Sequence, residues 1–184
     1  AEAGCTVSKL STPIGVSQVA IDLNVDVVIL DLHMPALPGD RLAAMVLPFL
    51  ERRGVVAEAG DARLAARCAL FKDRCNTLVD LADWLAMYHL PAKPGEADRS
   101  TYLTDAAKPA MASLRGRLGT VTWDKAAIAQ AIKDTLAEHK LKMPQLAPPV
   151  RVAVCGRSQT PSIDAVLALF DREVVLERLT AAVS

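Results

Sequence analysis

The sequence is poor in aromatic side chains and contains no apolar run long enough to cross a membrane. Aromatic residues make up 4% of the 184 residues, whereas hydrophobic residues together reach 52%. Because alanine and leucine dominate the apolar fraction, the composition favours packed helices over a β-sandwich. Charges interrupt every apolar run before it reaches the roughly 20 residues that a bilayer requires, so no membrane partner is expected. The first ten residues show no signal-peptide pattern, which predicts a cytoplasmic protein.

The cysteines and histidines show no metal-binding spacing. Cys5, Cys68, Cys75 and Cys155 form no C-x-x-C pair, and the three histidines are isolated from one another. These residues supply no zinc site, and no cofactor is expected from them. Cys68 and Cys75 can share one face of a helix, and we expect them to be buried free thiols in a reducing compartment.

Charge is distributed unevenly although the formal net charge is +0. From Lys108 to Arg157 the chain carries nine Lys or Arg residues against three acidic ones, whereas the first 45 residues carry two against five. A basic half next to an acidic end indicates an anionic partner for the basic half.

The first 45 residues read as an incomplete α/β fragment. The β-branched run VDVVIL at 25–30 is typical of a buried strand, and apolar residues at helical spacing precede it. A loop, MPALPGD, follows the strand, and a second helix is predicted from Asp40, which is its plausible N-cap. The predicted order is therefore helix, strand, helix.

Residues 46–184 read as helical throughout. Predicted helix starts follow five capping residues: Asp61, Thr77, Thr122, Ser162 and Asp171. The helical pattern over 103–118 contains Pro109, so this helix is either kinked or begins later than its apolar pattern suggests. Residues 151–155, RVAVC, alternate like a strand, but their helical neighbours favour a helix. The predicted fold class is thus mainly α, with a short α/β fragment in front.

The segment DVVILDLHMPALPGDRLA resembles the phospho-acceptor segment of response-regulator receiver domains, over about residues 1–46. The resemblance makes Asp31 a possible phospho-acceptor, with Met34, Pro35 and Gly39 shaping the loop. Receivers also need a magnesium-binding acidic pair and a later Thr or Ser and Lys, none of which has a counterpart here. Mg²⁺ is therefore expected only if this fragment were active.

The second part, about residues 46–183, resembles the C-terminal domain of bacterial glutamyl-tRNA synthetases. The resemblance rests on FKDRCNTLVDLADWLAMYHLP, on KMPQLAPPVRVAVCGRSQTPSIDAVLALF and on the closing VLERLTAA. It implies an all-helical cage that binds the three anticodon bases.

The same resemblance assigns roles to seven residues. Arg74 matches the position that reads the third anticodon base, where a guanidinium can bond a base edge in a fixed fork. Thr160, Pro161 and Ile163 match the turn against the first base. The residues expected to face the RNA backbone are Lys142, Arg151 and Arg157. Two alternatives remain open: Arg74 can pair with Asp73 or Asp80 instead, and Trp84 and Trp123 can be core anchors rather than stacking platforms.

These 184 residues contain neither a HIGH-like nor a KMSKS-like motif, so they are not expected to aminoacylate by themselves. The predicted function is non-catalytic binding of tRNA(Glu) through its anticodon loop. The alternatives are a signalling module phosphorylated on Asp31 and a fusion that has lost RNA binding. An unpartnered strand at 25–30 would also favour self-association.

Overall fold

The computed structural model describes residues 37–58 and 60–184, and these residues are helical. They form nine α-helices and one 3₁₀ turn and contain no β-strand, which confirms the mainly α prediction. The predicted strand at 25–30 and Asp31 lie outside the described residues. The described residues belong to two compact units, one ending at Asp83 and the other comprising Trp84–Ser184.

The helices are short and are numbered here in chain order. They are α1 Gly39–Glu51, α2 Ala62–Phe71, the 3₁₀ turn Lys72–Arg74, α3 Leu78–Ala86, α4 Glu96–Tyr102, α5 Lys108–Leu118, α6 Lys125–Glu138, α7 Met143–Cys155, α8 Ile163–Ala168 and α9 Arg172–Val183. The longest of them, α6, has 14 residues. None of the helices in the described ranges is long and apolar enough to span a membrane.

In the first unit, α1 packs along α2. Its core is built from fully buried apolar side chains, among them Leu42, Leu50, Leu64 and Phe71. The approach is close at Gly39, because a Cβ atom built there would lie 2.2 Å from the carbonyl oxygen of Ala65. Helix α1 continues without a break through residue 45, so the predicted domain boundary falls inside a helix.

Two of the predicted helix caps are confirmed by hydrogen bonds. The Asp61 carboxylate accepts from the Arg63 backbone N–H at 2.8 Å. At the start of α3 the Thr77 hydroxyl accepts from the Asp80 N–H at 3.0 Å, and the Asp80 carboxylate accepts from the Thr77 N–H at 3.2 Å. This reciprocal pair is a capping-box arrangement, which satisfies two backbone donors that the helix itself leaves unpaired.

Two other cap predictions are wrong. Helix α6 is capped by Asp124, whose carboxylate accepts from the Ala127 N–H at 2.9 Å, and not by Thr122. Helix α1 has Pro38 at the N-cap, which places Asp40 in the first turn, where a carboxylate still interacts favourably with the helix dipole. Ser162 and Asp171 do occupy the N-cap positions of α8 and α9.

In the second unit, α5 packs against α6, α7 and α9. Helix α5 begins at Lys108, so Pro109 lies in its first turn, where a missing N–H costs nothing. Residues 151–155 are the last turn of α7, as favoured over a strand. Val152, Val154 and Cys155 are all buried, because α7 is covered on several sides and a helix in that position is apolar all round. That burial explains why residues 151–155 are mostly apolar and resemble a strand in sequence.

Arg178 of α9 bonds three backbone carbonyl oxygens from two segments of this unit. Its guanidinium donates to the carbonyl oxygens of Met87, Leu90 and Val154, at 2.9, 2.6 and 2.5 Å respectively. Desolvation by burial lowers the pKa of Arg178. The side chain therefore joins the end of α7 to the chain that follows α3.

Candidate nucleic-acid interface

The turn between α7 and α8 brings four of the predicted site residues together. The Thr160 hydroxyl donates to the Pro161 carbonyl at 2.8 Å and accepts from Nε of Arg151 at 3.1 Å. Ile163 opens α8 directly after the turn. Arg151 belongs to the last turns of α7, so one hydroxyl connects the helix to the turn that follows it.

The side chains predicted for this turn are buried, whereas two of the neighbouring residues are exposed. Thr160 and Ile163 are 7% and 4% exposed, and Pro161 is also buried. The neighbouring Gln159 and Ser162 are exposed, and the Ser162 hydroxyl bonds the Asp164 carboxylate. The exposed side chains of this turn are therefore those of Gln159 and Ser162. The resemblance did not single out those two residues.

Arg157 stacks on Trp84, an arrangement that the sequence did not suggest. The guanidinium carbon lies 4.2 Å from the centroid of the Trp84 ring, and both side chains are half-buried. The two residues are more than seventy positions apart in the chain, so no local sequence pattern predicts their contact. Trp84 therefore has an arginine of the same unit over its ring, and its role as core anchor or stacking platform stays a prediction.

Trp123 behaves as a structural anchor. Its Nε1–H donates to the carbonyl oxygen of Phe170 at 2.8 Å, which holds the chain before α6 against the end of α8. The guanidinium of Arg172 lies over the same indole at 5.4 Å and bonds the Val121 carbonyl oxygen.

Lys142 lies at the opposite end of α7 from the turn. It is exposed at the N-cap, where its backbone N–H donates to the Gln145 side chain at 2.8 Å. Nine residues of helix separate it from Arg151, which corresponds to about 13 Å along the axis. Lys142 and Arg151 therefore lie near opposite ends of α7.

Arg74 lies in the first unit, at the end of the 3₁₀ turn that follows α2. The turn is fixed on both sides by the buried side chains of Phe71 and Cys75, whereas Arg74 itself is exposed. Within the described ranges Arg74 forms no ion pair with Asp73 or Asp80, and Asp80 is instead used in the α3 cap. The surface ion pair considered for Arg74 is thus absent, and its guanidinium is presented to solvent.

Part of the basic excess between residues 108 and 157 is neutralised internally. Lys108 pairs with Asp105 at 3.2 Å, and Arg117 pairs with Glu138 at 2.9 Å. Hydrogen bonds from Ser113 and Arg117 lower the pKa of Glu138. Four lysines of this stretch remain exposed: Lys125, Lys133, Lys140 and Lys142. The exposed lysines therefore lie along α6 and at the start of α7, where Asp124, Asp134 and Glu138 also lie.

The thiols of the described residues are inert rather than site-forming. Cys68, Cys75 and Cys155 are all buried. Burial raises the pKa of Cys68 and of Cys155 to about 12, so neither forms appreciable thiolate at neutral pH. In the part of the chain that the structure describes, no three His, Cys, Asp or Glu side chains cluster as a metal site would require.

Comparison with known proteins places the helical part in a family. The family described as "Anticodon binding domain" matches residues 41–183, and the chain belongs to that family. The match begins inside α1, in the first compact unit, and continues through residue 183 of the second.

Among its relatives are bacterial proteins named glutamate–tRNA ligase. The chain is 52% identical over 148 residues to the one from Leptothrix cholodnii, a match that covers 80% of this chain and 31% of that protein. It is 50% identical over 151 residues to the one from Paracidovorax citrulli, covering 82% of this chain and 32% of that protein. The chain is thus homologous to glutamate–tRNA ligases and spans about a third of their length.

Solved structures share the fold. A crystal structure of a glutamate tRNA ligase from Elizabethkingia meningosepticum, in complex with its amino acid, superposes with a TM-score of 0.71 at 16% identity. The superposition covers 80% of this chain and 29% of that one. At this identity the likeness concerns the helical fold alone. The receiver-like fragment remains a prediction, since residues 1–36 lie outside the described residues.

Proposed function

We propose that this chain binds the anticodon loop of tRNA(Glu) and that the 184 residues do so without catalysing aminoacylation. The observation that supports the proposal is the family match over 41–183 combined with relatives named glutamate–tRNA ligase. The match covers 31% of the Leptothrix cholodnii ligase, so the share of a ligase that performs the chemistry is not accounted for by these residues. The predicted cytoplasmic location belongs to the same proposal.

The surface has the chemistry that RNA binding needs. Exposed lysines along α6 and α7 can neutralise phosphates, which fixes the register of the RNA but carries no sequence information. Arg74 offers a solvent-facing planar guanidinium on a short, well-anchored turn. Such a group can donate two parallel hydrogen bonds to a base edge, so it is suited to discriminate between bases.

The proposal is tested by equilibrium binding of tRNA(Glu) and tRNA(Gln) transcripts across a salt series. We expect tRNA(Glu) to bind more tightly, with a preference that persists as salt weakens both affinities. Equal and steeply salt-dependent binding of the two would show a non-specific basic surface. Absence of binding to either transcript would favour the alternative that the chain keeps the helical fold but has lost RNA binding.

Arg74→Gln tests the residue on which discrimination depends. We expect its loss to reduce the preference for tRNA(Glu) by about 5- to 100-fold, because a bidentate base contact is worth about 1–3 kcal/mol. Lys72→Gln, two residues away in the same 3₁₀ turn, removes the same charge and is the matched control. If both variants weaken the two tRNAs equally, Arg74 contributes charge only.

A further inference from the structure

The second unit contains two arginine–tryptophan stacks, and in only one of them is the arginine used by the fold. Arg172 lies 5.4 Å from the Trp123 ring and bonds the Val121 carbonyl, while Trp123 bonds the Phe170 carbonyl. Each side chain of that pair therefore donates to a backbone carbonyl oxygen. The Arg172–Trp123 pair holds the loop before α6 in contact with the chain that follows α8.

The Arg157–Trp84 stack differs in its unused hydrogen-bonding capacity. Its guanidinium carbon is closer to the ring, at 4.2 Å. Among the described residues Arg157 has neither a carboxylate within ion-pair distance nor a hydrogen-bond acceptor. A guanidinium is planar and has five N–H donors, and here its carbon lies over the indole ring. Its donors are left for another molecule.

The stack is held in place from three directions. Gly156, which ends α7, has φ +74°, and a Cβ atom there would lie 3.1 Å from the Lys93 backbone nitrogen, so the loop lies directly on that segment. The N–H of Ser158 donates to the Asp98 carboxylate at 3.2 Å. Arg178 joins Val154 to Met87 and Leu90, the stretch just after Trp84. Both partners of the stack are thus positioned by the backbone around them before any ligand arrives.

We propose that the Trp84–Arg157 stack is a platform on which an unpaired nucleobase of the bound RNA stacks, over the outer face of the guanidinium. This inference rests on the proposed function and changes the role of Arg157, which the resemblance assigned to the RNA backbone. Single-stranded bases are recognised by stacking on aromatic side chains or on arginine planes, since every base has a π face. The N–H groups at the rim of the guanidinium remain able to bond the base edge or the adjacent phosphate.

Two substitutions separate a stacked base from a simple phosphate contact. Arg157→Lys keeps the charge but removes the plane, whereas Arg157→Gln removes both. If a base stacks there, both variants weaken tRNA(Glu) about 5- to 100-fold, the range that one base–side-chain stack supplies. Trp84→Leu is expected to cause a similar loss, and the Trp84→Leu, Arg157→Lys double variant little more than either single variant.

The control is Lys108→Gln, which removes a lysine already paired with Asp105 and should leave affinity within about two-fold. Thermal unfolding of each variant verifies that the fold persists. The platform is wrong if Arg157→Lys binds like the unaltered chain while Arg157→Gln weakens binding and lowers the salt slope by about one, since that pattern marks a phosphate contact.

The platform and the proposed function fail in different ways. If the unaltered chain prefers tRNA(Glu) and Arg157→Lys changes nothing, the proposed function stands and the platform is wrong. If tRNA(Glu) and tRNA(Gln) bind equally and Arg157→Lys weakens both, the platform stands and the specificity is wrong. If the unaltered chain binds neither transcript, both proposals are overturned.

Discussion

The two arginine–tryptophan pairs of the second unit are built from the same side chains but differ in how the arginine is used. The Arg172 guanidinium donates to the Val121 carbonyl oxygen, and the Trp123 Nε1–H donates to the Phe170 carbonyl oxygen. Arg157 stacks more closely, at 4.2 Å against 5.4 Å, yet donates to no group among the described residues.

The difference shows that the residue type alone does not separate an anchor from a binding surface. Backbone carbonyls at helix ends lack intrahelical donors, and a buried one without a partner is costly. The carbonyl oxygens of Val121 and Phe170, which lie beyond the ends of α5 and α8, accept from Arg172 and Trp123. Arg157 lies in the loop after α7, where the Ser158 N–H already donates to Asp98, and the Val154 carbonyl oxygen at the end of α7 already accepts from Arg178. An arginine that the fold does not need is available to a ligand.

The largest expected effect comes from removing the side chain that holds the Arg157 pair in place. Arg178→Met should lower the free energy of unfolding by about 3 kcal/mol, because three carbonyl oxygens lose a charged donor. Urea unfolding of the variant and of Arg178→Lys measures this. A loss below about 1 kcal/mol for Met would mean that water replaces the guanidinium, and the pair would then not be rigidly positioned.

A smaller effect is expected at the glycine before Arg157. Gly156→Ala introduces a Cβ 3.1 Å from the Lys93 nitrogen at φ +74°, and we expect a loss of about 2 kcal/mol together with weaker RNA binding. Gly54→Ala is the matched control, since Gly54 has the same φ with nothing within 4 Å of the added atom. It should cost about 1 kcal/mol of backbone strain and leave RNA affinity unchanged. Equal losses at both sites would show that the loop is free to shift away from Lys93.

The contrast between the pairs predicts opposite readouts for two conservative changes. Trp123→Phe removes the donor to Phe170 and should cost about 1 kcal/mol of stability without changing the RNA affinity of the folded protein. Arg157→Lys should change stability by less than about 0.5 kcal/mol while weakening RNA binding. Chemical unfolding measures the stability of both variants, and binding titrations measure their RNA affinity. Loss of affinity in Trp123→Phe would contradict the division of roles.

The smallest effect near neutral pH concerns the thiol next to this loop. Burial raises the pKa of Cys155 from 9.0 to about 12, and it outweighs the nearby arginines, which favour the thiolate. The unfolded thiol ionises first, so this contribution to stability is intact below about pH 9 and is lost as the pH rises towards 12. We expect Cys155 to resist alkylation at pH 8 in the folded protein, as followed by peptide mass mapping. Rapid labelling would mean that the end of α7 opens.

Local patterns predicted the helices better than their exact starts. Asp61 and Thr77 cap helices as expected, because each has a free backbone N–H two or three residues ahead. Thr122 was wrong because Asp124, two residues later, is an equally good cap and lies where the helix in fact begins. Neighbouring capping residues cannot be ranked from sequence, since the choice depends on how the preceding loop packs.

The site was only partly foreseen. The resemblance indicated the Thr160–Ile163 turn and Arg151, and the structure joins Arg151 to Thr160 through one hydrogen bond. The burial of Thr160 and Ile163 and the exposure of Gln159 and Ser162 were not foreseeable, because a turn motif does not reveal which side of it packs inward. Whether any of these residues contacts RNA remains a prediction.

Composition and periodicity by themselves determined that this chain is mainly helical, where most of its helices lie and that its basic residues concentrate in the second half. These properties depend on neighbours within one or two turns, which the sequence displays directly. Only the tertiary structure decided which charged side chains bond to other groups of the protein and which remain available to a ligand. Arg157 meets Trp84, and Arg178 meets Met87, across long stretches of chain, and such contacts depend on how the helices pack rather than on any local pattern.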